Sequence, residues 1–167
     1  DPGTGKSMAW AHIARLWHEM GLRVVVLVND QQQAQSQFRE LYKSPAWHDR
    51  ACDGSLGRME KGGGALVPGG LVSVGAAHPT KPVQIITYVQ AGNMVRDFKT
   101  KKALSSSPLD GAAIIMDEVH ELATPEAAKG WAGSMRAVDS WLSERRYGRK
   151  LGLTATPFVN MDGFRSL

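Results

Sequence analysis

Residues 112–120 read AAIIMDEVH, five apolar residues closed by two adjacent carboxylates, Asp117 and Glu118. An unbroken apolar run of this length fits a strand buried on both faces, as in a parallel sheet. The two acids then emerge at the carboxyl end of that strand, the edge at which open α/β sheets bind their ligands. A solvated acidic turn would account for the charges, but not for their position directly after the run.

The flanking sequence repeats the pattern. LRVVVLVND (22–30), VQIITYV (83–89) and KLGLTAT (150–156) read as further strands, the first ending in the polar pair Asn29–Asp30. Between them, KSMAWAHIARLWHEM (6–20) carries Trp10, Ile13, Ala14 and Trp17 at helical spacing and stops at Gly21. QQQAQSQFRELYK (31–43), NMVRDFKTKKAL (93–104) and PEAAKGWAGSMRAVDSWLSERR (125–146) read as helices. Strands alternating with helices predict an α/β fold, a parallel β-sheet flanked by helices. Residues 52–77 hold so much glycine that they read as a long loop or insertion. Trp10 and Trp17 are expected in the core, with Trp131 and Trp141 on another helix, and core rather than base stacking is the expected role of most of the five tryptophans.

Composition sets wider bounds. The chain has 167 residues, 43% hydrophobic and 22% charged, so it suits one folded domain. A domain of this size buries roughly 70% of the surface its unfolded chain exposes. The net charge of +4 and the isoelectric point of about 9.4 permit a polyanionic partner without requiring one. The single cysteine, Cys52, forms no internal disulfide and has no CxxC companion for a metal site, which fits a reducing, cytoplasmic setting. No apolar run approaches the roughly 18 residues that span a bilayer.

The first residues, DPGTGKSMAW (1–10), supply a second motif. PGTGKS is the latter part of a phosphate-binding loop, G-x-x-x-x-G-K-S/T, with Gly5, Lys6 and Ser7 in its last three places. The first glycine would fall just before Asp1, so the chain is expected to start inside the motif. Glycines allow several backbone N–H groups to point at one phosphate, and the following helix adds the positive end of its dipole. Pro2, Gly3, Thr4, Gly5, Lys6, Ser7 and Met8 are therefore the candidate nucleotide contacts. Lys6 would reach the β and γ phosphates of ATP, and Ser7 would join Asp117 in holding Mg2+. Glu118 suits the orientation or deprotonation of an attacking water.

DPGTGKS, IIMDEVH and GLTATPF, in this order, resemble motifs I, II and III of superfamily 2 DExH-type helicases and nucleic-acid translocases. Asp117, Glu118, Val119 and His120 match the D-E-x-H box, and Thr154, Ala155 and Thr156 match the motif III triplet, followed by Pro157. The resemblance implies a RecA-like P-loop domain that is the first of two, so that residues 1–167 would lack the strand before the loop and the second helicase domain. It implies that His120, Thr154 and Thr156 couple the γ-phosphate to the nucleic-acid face. The VVVLVNDQQQAQSQF and IITYVQAGNMV stretches are similar to the motifs that touch the nucleic-acid backbone. This makes Asn29, Gln31 and Gly92 the candidate contacts, although Gln90 stands where the family often has threonine. Lys99, Lys101 and Lys102 could add charge to that face.

The function so implied is that of an ATP-dependent helicase or translocase. RNA is the preferred single-stranded substrate by similarity to RNA-virus helicases, with a host-cytoplasm location if the chain is viral. The alternatives are a DNA translocase, a nucleotide-dependent scaffold that holds nucleic acid without unwinding it, and a small P-loop kinase. Because the second domain supplies an arginine finger in this family, residues 1–167 alone are expected to hydrolyse ATP very slowly.

Overall fold

The computed structural model describes residues 5–97, 99–117 and 133–153, with residues 5–8 and 133 described by their backbone alone. Helix α1 (Gly5–Glu19) leads into strand β1 (Val24–Val28) and helix α2 (Gln31–Lys43). A 3-10 turn (Pro45–Trp47) and the short α3 (His48–Cys52) follow, then strands β2 (Gly57–Met59), β3 (Leu66–Pro68) and β4 (Val72–Val74). The chain continues through β5 (Val83–Thr87), α4 (Tyr88–Val95), β6 (Ala113–Met116), a helix here called α5 (Gly133–Ser143) and β7 (Arg149–Gly152).

Five strands form one sheet in the order β4-β5-β1-β6-β7, and every neighbouring pair is parallel. This is the expected α/β architecture. The central strand β1 is buried along its whole length, as a five-residue run of Val and Leu requires. Its side chains alternate between two cores. Val24, Val26 and Val28 pack with Trp10, Ala14, Phe38 and Trp47 on the α1–α2 side. Val25 and Leu27 pack with Tyr88, Ala91, Val138 and Trp141 on the α4–α5 side. Trp10 is thus a core residue, as expected, Trp141 is buried in the second core, and Trp17 lies partly buried against the first.

Local signals explain the helix that follows β1. Asp30 caps α2 by accepting a hydrogen bond of 2.8 Å from the Gln33 amide, and Ala34, Phe38 and Leu41 bury one face at spacings of four and three. Helix α4 starts with a capping box in which the Thr87 hydroxyl accepts from Gln90 N–H while the Gln90 side chain accepts from Thr87 N–H.

Two expectations are corrected. Residues 52–77 are no simple loop: they contain the antiparallel hairpin β2–β3 and strand β4, which pairs in parallel with β5 and forms one edge of the main sheet. The glycines serve the turns between short strands, with Gly62 and Gly63 at φ +94 and +75 in the hairpin loop. The helix expected over 93–104 instead ends with α4 at Val95. Arg96 bridges Ala103, and the Asp97 carboxylate accepts from the amide and hydroxyl of Thr100, so a side chain takes the place of helical bonds there.

Candidate nucleotide and nucleic-acid edge

Because all five strands of the main sheet are parallel, the residues that follow them collect on one edge. Asn29 follows β1, Gly75 follows β4, Tyr88 follows β5, Asp117 follows β6 and Leu153 follows β7. The register sets their heights: Leu27 pairs with Met116, Val28 with Thr87, and the Asp117 amide donates to the Leu27 carbonyl at 2.9 Å.

Among the described residues, Asp117 is a closely held acid on this edge. It is buried, and three elements converge on it. The Gln37 side-chain amide, from α2, donates to Oδ2 at 2.8 Å. Gln37 accepts in turn from the indole N–H of Trp10, in α1, at 3.1 Å. The Tyr88 hydroxyl, at the start of α4, donates to the Asp117 main-chain carbonyl at 2.7 Å. A buried carboxylate is expensive unless hydrogen-bonded; the Gln37 amide supplies such a bond to Oδ2, while the Tyr88 hydroxyl holds the main chain of the same residue.

Oxygen donors suit Mg2+, and a carboxylate fixed at the carboxyl edge of a parallel sheet is chemically fit to hold that ion. Helix α1 starts at Gly5, so Lys6, Ser7 and Met8 occupy its first turn, as a phosphate loop running into a helix requires. Among the described residues, no cluster of three or more His, Cys, Asp or Glu groups could hold a metal by itself. Such a cluster is not needed for an ion whose remaining ligands are phosphates and water.

The other sequence candidates separate. Pro2, Gly3, Thr4, Glu118, His120, Thr154 and Thr156 lie outside the described residues. Asn29 is half-buried, and its backbone N–H donates to Gln33 Oε1 at 3.1 Å. Gln31 is exposed, and its side-chain amide donates to the Gly75 carbonyl at 2.9 Å. Gln90 donates to the same carbonyl at 2.6 Å, so α2 and α4 are tied together through one turn. Gly92 differs from both. It is buried in α4, where an added Cβ would overlap the Ser134 carbonyl of α5, so its lack of a side chain serves helix packing. Lys99, Lys101 and Lys102 are exposed on the loop after α4 rather than on a helix face.

Sequence reasoning missed Gln37 and Tyr88. For Gln37 a signal existed: positions 34, 37, 38 and 41 share one face of α2, and Gln37 is the polar residue in that apolar stripe. For Tyr88 there was none: it read as part of the strand expected over 83–89, whereas β5 ends at Thr87 and Tyr88 opens α4.

The family model described as "Type III restriction enzyme, res subunit" matches residues 1–159. No curated protein matches the chain. Among solved structures, the Sulfolobus solfataricus SWI2/SNF2 ATPase core in complex with dsDNA matches with 15% identity and a TM-score of 0.37, covering 97% of this chain and 34% of its own. The chain therefore spans about a third of that structure's length. With the family model running over residues 1–159 of 167, the chain belongs to the type III restriction enzyme res-subunit family and carries a superfamily 2 helicase-type, RecA-like ATPase domain.

Proposed function

We propose that this chain is the nucleotide-binding half of an ATP-dependent nucleic-acid motor of the DExH type, with Asp117-Glu118-Val119-His120 as its box. The observation that carries the reading is the Asp117 carboxylate, buried and clamped at the carboxyl end of β6 on the edge that also receives the start of α4. Asp117 and Ser7 would hold Mg2+, and Lys6 and the backbone of residues 2–8 would hold the phosphates. The metal, when bound with ATP, neutralises charge on the β and γ phosphates. Glu118 orients the attacking water and accepts its proton. His120, Thr154 and Thr156 then pass the state of the phosphate site to the polymer face. Asn29 and Gln31 stand at that face beside the Gly75 turn. Contacts of this backbone type position a strand without reading its sequence.

The track is DNA rather than the RNA expected at first. The matched family is by its description a subunit of a restriction enzyme, a class of enzyme that acts on DNA.

The test is ATP hydrolysis by the protein carrying this chain, measured without polymer, with double- and single-stranded DNA and with single-stranded RNA, beside Glu118→Gln. Stimulation by DNA that disappears in Glu118→Gln is expected. Stimulation by RNA alone would reverse the choice of track. ATP binding with no stimulation by either polymer would reduce the chain to a nucleotide-dependent scaffold.

A further inference from the structure

The Trp10–Gln37–Asp117 chain joins three elements that are far apart in sequence: Gln37 and Asp117 are 80 residues apart, and Trp10 and Gln37 are 27 apart. Its chemistry has only one consistent direction. An indole N–H donates and never accepts, so the Gln37 group facing Trp10 must be the carbonyl oxygen. The amide N–H2 must then face Asp117, where it donates to Oδ2. Trp10 is itself fully buried in the core between α1 and the sheet, so the end of the relay is anchored by packing. It also lies one turn beyond the phosphate-loop residues Lys6 and Ser7 on the same helix. The relay therefore fixes the position of the acidic carboxylate relative to the phosphate-loop helix.

We infer that Gln37 is a positioning residue that holds the Asp117 carboxylate in register with the phosphate-loop helix for Mg2+, with Trp10 selecting the orientation of the Gln37 amide. The inference rests on the proposed role of Asp117 as the residue that holds the metal. Partners behind a metal-holding group orient it and tune it, and their loss typically costs about 10- to 100-fold in metal affinity or activity. Gln37 does not touch the nucleotide in this scheme. Its loss should weaken what Mg2+ adds to nucleotide binding and leave metal-free binding alone.

The experiment is ADP binding by the protein carrying this chain, measured in Mg2+ and again in EDTA, for the parent, Gln37→Met, Gln37→Glu and Trp10→Phe. Gln37→Met keeps the volume and removes both hydrogen bonds. Gln37→Glu can still accept from Trp10 but turns a second acceptor toward Asp117. The expected result is a parent affinity that rises with Mg2+ and a rise that shrinks about tenfold in both Gln37 variants. Affinity in EDTA should stay near the parent value in both Gln37 variants, while the melting temperature falls in Gln37→Glu, which removes the donor to the buried Asp117 carboxylate and faces it with a second acceptor. Trp10→Phe should shrink the Mg2+ gain in the same direction, by less. An unchanged Mg2+ gain in both Gln37 variants overturns the inference. Equal losses in Mg2+ and in EDTA also overturn it, since they would make Gln37 a structural residue only. A parent that binds ADP equally with and without Mg2+ removes the metal role of Asp117, and a parent that binds no ADP removes the proposed function as well.

Discussion

The Tyr88 hydroxyl donates a hydrogen bond of 2.7 Å to the main-chain carbonyl of Asp117, joining the first residue of α4 to the residue that follows β6. Tyr88 is fully buried, and its ring packs in the core between the sheet and α4–α5. Replacing it by Phe keeps the ring and leaves a buried carbonyl without this donor. The expected cost is about 1–3 kcal/mol. For a domain of this size each kcal/mol shifts the melting temperature by about 2–4 °C. Urea and thermal unfolding of Tyr88→Phe beside the parent check this, and a variant as stable as the parent would deny the bond any weight.

The turn at Gly75 holds two helices at once. Its φ is +71, and an added Cβ would overlap Gln31 Oε1, while its carbonyl accepts from both Gln31 and Gln90. Gly75→Ala should destabilise the domain by about 1–2 kcal/mol through left-handed strain and displacement of Gln31. The side-chain amide resonances of Gln31 and Gln90 should shift together in the NMR spectrum of the variant. A shift of Gln31 alone would show that the shared carbonyl does not couple the two helices.

At the opposite, amino-terminal edge of the sheet, Arg146 grips Asp110 in a two-pronged ion pair, with Nε and Nη2 at 3.0 and 2.9 Å. Arg146 foremost, with help from the Trp141 indole and the Ser107 amide, lowers the Asp110 carboxyl from 3.8 to about 2. A carboxyl lowered on folding contributes stability that is complete above its unfolded value and is lost as the pH falls through its folded one. The window here runs from about pH 4 down to about pH 2. With the Asp110 side chain 33% exposed, solvent screening leaves about 1 kcal/mol of the linkage in place. Urea midpoints at pH 5, 3 and 2 should fall more steeply for the parent than for Asp110→Asn. Parallel pH profiles for the two would show that other carboxylates carry the acid sensitivity.

Much of the fold was legible because its causes are local. The α2 helix could be read over its full range, 31–43, since its cap at Asp30 and its apolar face lie within the segment itself. The strands at 24–28 and 113–116 were equally plain, because both of their faces are covered and the apolar run shows no alternation. Strand β4 was hidden for the opposite reason. Three residues, Val-Ser-Val, carry too little pattern, and only pairing with β5 makes them a strand. The end of α4 at Val95 was hidden as well, since it is set by Arg96 meeting Ala103 and by Asp97 bonding Thr100.

The candidate site divides along the same line. Sequence alone determined that a Gly-Lys-Ser string, an apolar run closed by two acids and a Thr-Ala-Thr triplet occur in one chain and in one order, because each is a contiguous string. It could not show that Gln37 holds Asp117, that the Tyr88 hydroxyl bonds the Asp117 carbonyl, or that Gly92 lets α4 approach Ser134 of α5. Those relations are set by the parallel sheet, whose register brings the ends of β1, β5 and β6 to one height. A side chain finds a partner 80 residues away only after that sheet has closed. No local propensity encodes such a contact, and so only the tertiary structure decided it.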